Sequence, residues 1–471
     1  MVRRGKYINP ESIARKDVMR MRRSLRSVGK LMVVCSLLAM VVLGISMPAA
    51  AMPGYDMNKV SDMTGFDPMD FENPTGDTFK IGMMYIFSGP GAGNGRLYWC
   101  QSTWLAYDIN KRGGLAVDGK KKLIELIKAD TQGKPAPAKK MAERMCLEEK
   151  VHLMVGTNGS HISLVLQSVA EKYKTPYVVM CANSANLLDG KNFNRYSFRT
   201  CLNSIMFGNA MAYYYSKRPE KKFYILCQDY LFGHEMADAF KDGLKKYKPE
   251  AVVVDEVYHP LFMKDFAPYV TKIKGSDAEV IYTGDWKPDS ENLYMTLKSL
   301  QVTLPVANLY ADNPENFKAL GAAGKGMVNV NDYLITCDTP ENKAFVAAWY
   351  KEWKHWKSPY NTIEYRYPIT VLGSCTDQLY WILDVFERAG TTNPEKFIAK
   401  FEGDEYKGLT GVMKMRACDH QAIKPMYATE FEYPSKTVEI EEDAASYGKA
   451  VTIPAEFCTP PVPADLARCN K

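Results

Sequence analysis

From Phe79 onward, short apolar runs alternate with longer amphipathic stretches. Apolar runs of this length are typical of buried strands, and the stretches between them have the spacing of helices that cover a sheet. Strands that alternate with helices predict parallel sheets built from right-handed connections. The predicted strands are residues 79–87, 123–128, 152–156, 177–181, 223–227, 251–255 and 279–282, and the predicted helices between them are residues 95–111, 136–150, 162–174, 233–247 and 290–301.

The series does not continue as one sheet. It pauses at residues 192–200, restarts with a helix, and pauses again after residues 326–334. Helices return at 340–356 and 367–390, and residues 409–433 alternate like a hairpin without a helix. The two pauses and the final hairpin predict three crossings between two doubly wound α/β lobes, with a cleft between them. The predicted segments are an irregular extension (52–77), lobe 1 (78–199 and 335–405), lobe 2 (200–334 and 406–450) and a C-terminal tail (451–471).

Residues 1–51 have the features of a secretion signal. A basic stretch that includes Arg22 and Lys30 precedes an apolar run at residues 31–47, and Pro48 to Ala51 supplies small residues for cleavage before Met52. An uncleaved membrane anchor is the alternative, because the apolar run is near the lower length limit for spanning a bilayer. No cysteine stands at the cleavage site, which argues against a lipoprotein. We expect a protein exported to the periplasm.

The net charge of +6 belongs to this leader, which has ten basic residues against two acidic ones. Of the 60 basic and 54 acidic residues, 50 and 52 remain in the rest of the chain. This balance predicts no basic face for nucleic acid.

Ten of the eleven cysteines follow the leader, and an even number in an exported chain suggests disulfides. The pairing stays open, although Cys458 and Cys469 frame a proline-rich tail and could close a small loop. A metal site is the alternative, but the chain contains no CxxC motif. We expect no metal.

Two further patterns, the methionines of the extension and a glycine-rich segment, could indicate a metal site and a cofactor site. The methionines of the extension, Met52, Met57, Met63 and Met69, could bind a soft metal, but flexible side chains packed on a lobe are the simpler expectation. The glycines at positions 91, 93 and 95 do not have GxGxxG spacing, so no dinucleotide and no other cofactor is predicted.

Several motifs in a fixed order resemble the type I periplasmic binding proteins of the Leu/Ile/Val-binding group. Phe79-Lys80-Ile81-Gly82, Ser88-Gly89-Pro90, Asp108-Ile109-Asn110 and Gly113-Gly114 are similar to the opening strand, turn and helix of that group. Gly156 to Ser160, residues 177–187, Gln228-Asp229-Tyr230, Gly326-Met327 and Asp419-His420-Gln421 are similar to later motifs. The resemblance covers roughly residues 78–435 and implies two lobes, three hinge strands and a ligand cleft.

Ser160 is the first candidate for ligand binding. It follows a predicted strand and precedes a predicted helix, where a hydroxyl and free backbone N–H groups suit an anion. The alternative is a helix N-cap. The resemblance implies that this serine binds the ligand's carboxylate. It also implies backbone and hydroxyl contacts from Ala182, Asn183 and Ser184, although Asn183 replaces the group's threonine. Asn94 stands where relatives often carry an aromatic residue.

The second lobe is expected to supply aromatic walls. Tyr230 and Trp286 follow predicted strands, and the polar neighbours of Trp286 favour a ligand lid over a core residue. An α-amino acid ligand also needs a carboxylate for its ammonium group. Asp312 and Asp285 are the candidates, and if neither serves, the ligand is not an α-amino acid.

We therefore predict the periplasmic binding component of an ABC importer for a small polar solute, a branched-chain amino acid or a related carboxylate or amide. Lobe closure around the ligand would precede docking on an inner-membrane permease, and a monomer is expected. A sensory subunit that uses the same cleft is the alternative, and a secreted enzyme is the third possibility. The enzyme has little support, because the six histidines are scattered and none lies in a catalytic motif.

Overall fold

The computed structural model describes residues 52–56, 59–433 and 447–469. The predicted signal peptide and Met57 lie outside the described residues. All elements below belong to one compact unit, Pro53–Lys471. No helix in the described ranges has both the length and the apolar character needed to cross a bilayer.

The first lobe is built on a five-stranded parallel sheet. Its strand order is β4-β1-β5-β6-β7, and β1 is buried at every position but one. Such apolar strands are typical of a sheet that is covered by helices on both faces. The elements are β1 (Phe79–Tyr85), α1 (Ala92–Lys111), a β2–β3 hairpin (Leu115–Val117 and Lys120–Lys122), β4 (Ile124–Asp130), α2 (Pro135–Arg144) with a π-helical turn (Met145–Glu149), β5 (Leu153–Gly156), α3 (Ser160–Tyr173), β6 (Tyr177–Val179), a 3-10 turn (Ala185–Leu188) and β7 (Ser197–Arg199).

The second lobe is built on a seven-stranded sheet. Its parallel strands β8 to β12 are joined at one edge by two antiparallel strands, β16 (Met426–Glu430) and β17 (Val451–Ile453), in the order β17-β16-β12-β11-β10-β8-β9. Its elements in chain order are α4 (Ser204–Tyr215), β8 (Lys222–Gln228), α5 (Leu231–Tyr247), β9 (Val252–His259), α6 (Ala267–Lys274), β10 (Val280–Tyr282), α7 (Asp289–Ser299), β11 (Val306–Asn308), α8 (Pro314–Leu320), a 3-10 turn (Gly321–Gly324) and β12 (Val328–Asn331).

The chain then returns to the first lobe and crosses once more. Helix α10 packs along α1, so these late helices belong with the first sheet. The elements are α9 (Pro340–Trp353), a 3-10 turn (Ile363–Tyr365), α10 (Thr370–Ala389), α11 (Pro394–Phe401), a three-stranded sheet of β13 (Glu405–Lys407), β14 (Val412–Met415) and β15 (Ala422–Ile423), then β16 (Met426–Glu430), β17 (Val451–Ile453), α12 (Ala455–Cys458) and a final 3-10 turn (Ala467–Cys469).

The predicted fold, two doubly wound lobes joined by three crossings, is confirmed. The crossing segments contact one another: Arg199 pairs with Gln421, and Lys424 forms an ion pair with Asp332. The exact division of the chain into lobes remains a proposal. The predicted C-terminal tail begins with β17, a strand of the second sheet, because Val451 to Ile453 pair with β16.

The pairing of Cys458 with Cys469, which the sequence left open as one possibility, is wrong. Cys469 forms a disulfide with Cys418 of the hairpin that crosses between the lobes. Cys458 is a buried free thiol, and its Sγ lies 3.6 Å from the carbonyl oxygen of Pro454. Cys458, which is nearer to Cys469 in sequence than Cys418 is, therefore stays buried in the second lobe. The tail continues past it to the hinge, where Cys469 pairs with Cys418.

The extension at residues 52–77 packs on the first lobe over part of its length. Met63 and Phe66 are buried, and the Phe66 ring lies 5.3 Å from Trp104 and 5.7 Å from Trp356. Met69 is exposed. No group of three or more His, Cys, Asp or Glu side chains within the described ranges is arranged to hold a metal ion.

Candidate functional site

A cleft of about 760 Å³ lies between the lobes, where strands of both sheets end. Lobe 1 contributes α1 and the residues that follow β5 and β6, and lobe 2 contributes the residues that follow β8, β10 and β11. Crevices at the carboxyl ends of parallel strands are the usual ligand sites of open α/β sheets. Seven of the nine predicted residues line this cleft: Asn94, Ser160, Ala182, Asn183, Tyr230, Trp286 and Asp312.

Ser160 is the first residue of α3, so the N-terminus of that helix forms part of the wall. The N-cap position is taken by Gly159 at φ 87°, a conformation that favours glycine, and no side chain caps the helix. The first N–H groups of a helix lack partners within it and carry a partial positive charge. The Ser160 hydroxyl accepts a hydrogen bond from the Ser184 N–H at 3.1 Å and keeps its own hydrogen for donation. This end of the cleft can bind an anion.

Asn183 extends from the end of β6 toward the second lobe. Its Nδ2 donates to the Tyr310 hydroxyl at 3.4 Å, and its buried Oδ1 has no hydrogen-bond partner among the described residues. The neighbouring Ser184 does not line the cleft. Its hydroxyl donates at 2.7 Å to Glu235 of α5, and its carbonyl oxygen accepts from Arg199. Ser184 thus lies outside the cleft wall, where its N–H holds the Ser160 hydroxyl and its own hydroxyl contacts the second lobe.

Asp285 also lies outside the cleft, although it precedes Trp286 in the sequence. Its fully buried Oδ2 is 2.7 Å from Nε2 of the fully buried His259. Burial opposes the charged imidazolium, but the hydrogen bond and negative charge of Asp285 outweigh that effect and raise the pKa of His259. Asp285 therefore holds the loop that carries Trp286 and does not face a ligand.

Tyr230 and Trp286 form one aromatic wall on the lobe 2 side. The Trp286 indole N–H donates to the Tyr230 hydroxyl at 2.9 Å, and the Phe262 ring packs edge-on at 5.7 Å from the Trp286 ring. These contacts fix the indole, so Trp286 offers a ligand an apolar surface rather than a hydrogen bond.

Asp312 lines the cleft but is only 5 % exposed. Its Oδ2 accepts a hydrogen bond from the Thr370 N–H. Burial opposes the charged carboxylate and raises the pKa of Asp312 to about 6. Of the two predicted ammonium partners, Asp312 is the one that lies at the cleft.

Sequence reasoning missed the charged residues of the cleft, Lys287, Glu291 and Glu364. The spacing of Lys287 and Glu291 is that of an i, i+4 pair at the start of α7, which is a signal for an ion pair but not for a site. Glu364 comes from a 3-10 turn after α9, and no local pattern could place it beside Lys287.

Comparisons with known proteins agree with this fold. The family model described as "Periplasmic binding protein" matches residues 78–437. The Leu/Ile/Val-binding protein homolog 4 of Brucella melitensis is 25% identical over 382 residues, which cover 79% of this chain and 88% of the relative.

Two solved structures have the same fold. One is the leucine-, isoleucine-, valine-, threonine- and alanine-binding protein of Brucella ovis in a closed conformation, with a TM-score of 0.69 and 22% identity over 82% of this chain and 98% of that one. The other is a solute-binding protein of an ABC transporter from Rhodopseudomonas palustris BisB5 in complex with 3,4-dihydroxybenzoic acid. It has a TM-score of 0.68 and 20% identity over 81% of this chain and 98% of that one.

Proposed function

The chain belongs to the type I periplasmic binding proteins, and from this premise we propose that it is the solute-binding component of an ABC importer for a small solute with a carboxylate group. The observation that carries the proposal is the cleft itself, in which a helix N-terminus on lobe 1 faces an aromatic wall on lobe 2. A ligand that contacts both walls favours the closed state by its differential affinity.

The carboxylate is assigned to the Ser160 end of the cleft. Uncapped N–H groups and a hydroxyl donor at the start of α3 suit an anion, and α3 has no acidic residue in its first turn. The aromatic wall of Tyr230 and Trp286 suits the apolar body of the solute. One structural neighbour is named for binding leucine, isoleucine, valine, threonine and alanine, and the other is in complex with 3,4-dihydroxybenzoic acid. All of these ligands carry a carboxyl group.

Family membership implies a periplasmic location and a membrane permease as partner. Cleavage of residues 1–51 as a signal peptide and a monomeric state belong to the proposal. Binding without catalysis is the proposed role.

The first test is a thermal-shift screen of the mature protein, from Met52, against amino acids, amides and carboxylates. A ligand at about 100 times its dissociation constant should add roughly 2.7 kcal/mol to the free energy of unfolding, which is an easily measured shift. We expect Ser160→Ala to weaken binding of the hit and Trp286→Ala to weaken it by about tenfold or more, because an aromatic contact with the cleft wall is lost.

Glu148→Gln is a suitable control, because this exposed glutamate lies just before β5, at the end of that strand opposite the cleft. If Ser160→Ala and Trp286→Ala both bind the ligand as tightly as the wild type does, the ligand binds outside this cleft. A well-folded protein that responds to no carboxylate would contradict the proposed ligand class.

A pH titration tests whether the ligand carries an ammonium group at Asp312. The pKa of this carboxyl is raised to about 6, so it is protonated below that pH and charged above it. An ammonium group binds the charged form, so the affinity should be full above pH 6 and fall by about tenfold per pH unit below it. Isothermal titration calorimetry between pH 4.5 and pH 8 measures the profile.

The matched variant is Asp312→Asn, which keeps the shape and the acceptor for the Thr370 N–H. It should bind an α-amino acid weakly at pH 7.5 and show no step near pH 6. If the affinity of the wild-type protein for its ligand stays constant or rises as the pH falls, Asp312 does not bind a cationic group.

A further inference from the structure

One part of the cleft wall is lined by charged side chains that the proposed function does not use. The Lys287 Nζ lies 2.6 Å from Glu364 Oε1 and 3.2 Å from Glu291 Oε1. The Nδ2 of Asn313 donates to the same Glu291 oxygen at 3.1 Å. Glu364 is only 6 % exposed, so this is a partly desolvated ionic cluster and not a solvated surface pair.

The cluster has more negative than positive charge. Lys287 is the cationic side chain that lines the cleft among the described residues, and it faces both Glu291 and Glu364. Glu315 lies close by. Burial raises the pKa of Glu291 and of Glu315, and the charge of Glu364 raises each further despite the opposing charge of Lys287. A single lysine therefore does not compensate these carboxylates.

The cluster also has acceptor atoms to spare. Lys287 and Asn313 use Oε1 of Glu291, and Lys287 uses Oε1 of Glu364. The recorded contacts of both carboxylates with described residues use their Oε1 atoms, and both side chains line the cleft. A carboxylate can accept several hydrogen bonds at its two oxygens, so each can still receive a donor from a ligand.

These carboxylates and the start of α3 give the cleft two poles. The α3 N-terminus with Ser160 is electropositive, and the cluster around Glu291 and Glu364 is electronegative. We propose that the solute carries, besides its carboxylate, a basic group that binds between Glu291 and Glu364. This inference rests on the proposed function and narrows its ligand to basic amino acids and other amino-substituted carboxylates. The group differs from any α-ammonium, which Asp312 would receive.

Matched ligands test the proposal without altering the protein. Isothermal titration calorimetry compares para-(aminomethyl)benzoate with para-methylbenzoate, and lysine with norleucine. Within at least one pair we expect the basic member to bind about tenfold to a hundredfold more tightly, because a charge-assisted hydrogen bond forms in a partly desolvated site.

Glu291→Gln is the matched variant, because it removes the charge and keeps an oxygen for the Asn313 amide. We expect it to reduce the difference between the two members of a pair by about tenfold. Glu250→Gln, on an exposed part of the same lobe, should leave the difference unchanged. Glu364→Gln provides a second variant if Glu291→Gln fails to unfold cooperatively.

The two proposals fail in different ways. If the neutral member of each pair binds as tightly as the basic one, the cationic subsite is overturned and the carboxylate-binding function stands. A preference for the basic ligand that survives in both glutamate variants would also overturn the assignment to Glu291 and Glu364. If neither member of any pair binds to folded protein, the proposed ligand class falls, and this inference falls with it.

Discussion

Serine in place of Cys469 is expected to lower the free energy of unfolding by about 2–4 kcal/mol, because the disulfide to Cys418 closes a loop across 51 positions of sequence. Such a bond reduces the conformational freedom of the unfolded chain, and longer loops lose more. Urea unfolding under oxidising conditions measures the effect as a lower midpoint with a similar slope.

The tail that this bond fixes contacts both lobes, so its release should also affect the hinge. On lobe 2, Phe457 stacks on Tyr213 with ring centroids 4.2 Å apart. On lobe 1, Asp465 accepts the Gly190 N–H at 3.0 Å, and Arg468 donates to Glu402 at 2.7 Å. Residues 447–469 lie beyond residues 78–437, the range that the family model matches.

Two controls separate the disulfide from the loss of a sulfur atom. Cys146→Ser removes a half-buried free thiol and should change stability by less than about 1 kcal/mol. A reducing agent should destabilise the wild-type protein to the level of Cys469→Ser and leave the variant unchanged. Identical midpoints for the oxidised wild type and Cys469→Ser would contradict the expectation.

The sequence predicted the elements of the fold well because their signals are local. The apolar run predicted at residues 79–87 is strand β1, Phe79–Tyr85, and the helix predicted at 367–390 is α10, Thr370–Ala389. The helix predicted at 95–111 also ends at Lys111 in α1, and Gly113 and Gly114, which follow it, both have positive φ. Periodicity and turn residues act over a few positions, so they can be read without the tertiary structure.

Residues of the candidate site could be predicted only where a position at the end of a strand determines that the side chain reaches the cleft. Ser160 and Trp286 reach the cleft in this way, but Asp285, next to Trp286, turns inward to His259. Successive residues of an extended segment point to opposite sides, so one position separates a cleft residue from a buried one. Glu364 and the partner of Cys469 depend on segments that meet only in the folded chain.

Replacing Asp377 with asparagine is expected to stabilise the protein at neutral pH. Asp377 lies on α10 near the crossings, and its Oδ1 accepts the Leu409 N–H at 2.9 Å. Burial raises its pKa to about 7 and the charge of Asp332 adds to this, while the Leu409 N–H and Lys424 oppose it. The folded protein therefore favours the neutral acid, which asparagine imitates while keeping the acceptor oxygen.

The sign of the pH dependence follows from the two pKa values. Between the ordinary value of 3.8 and the folded value of about 7, the folded state binds a proton that the unfolded state has lost. The stability contributed by protonated Asp377 is complete below pH 3.8 and is lost as the pH rises to about 7. The advantage of Asp377→Asn should thus grow from near zero at pH 4 to on the order of 4 kcal/mol at pH 8.

Urea unfolding of the wild type and of Asp377→Asn at several pH values measures this difference. Other titrating groups contribute equally to the free energy of unfolding of both proteins, so their contributions cancel in the difference. Glu387→Gln, an exposed change on the same helix, should follow the wild-type profile. A constant difference between wild type and Asp377→Asn from pH 4 to pH 8 would contradict the burial of a titrating carboxyl. Because Asp332 and Lys424 lie on two of the crossings, the same titration reports on the charge balance at the hinge about which the lobes would close.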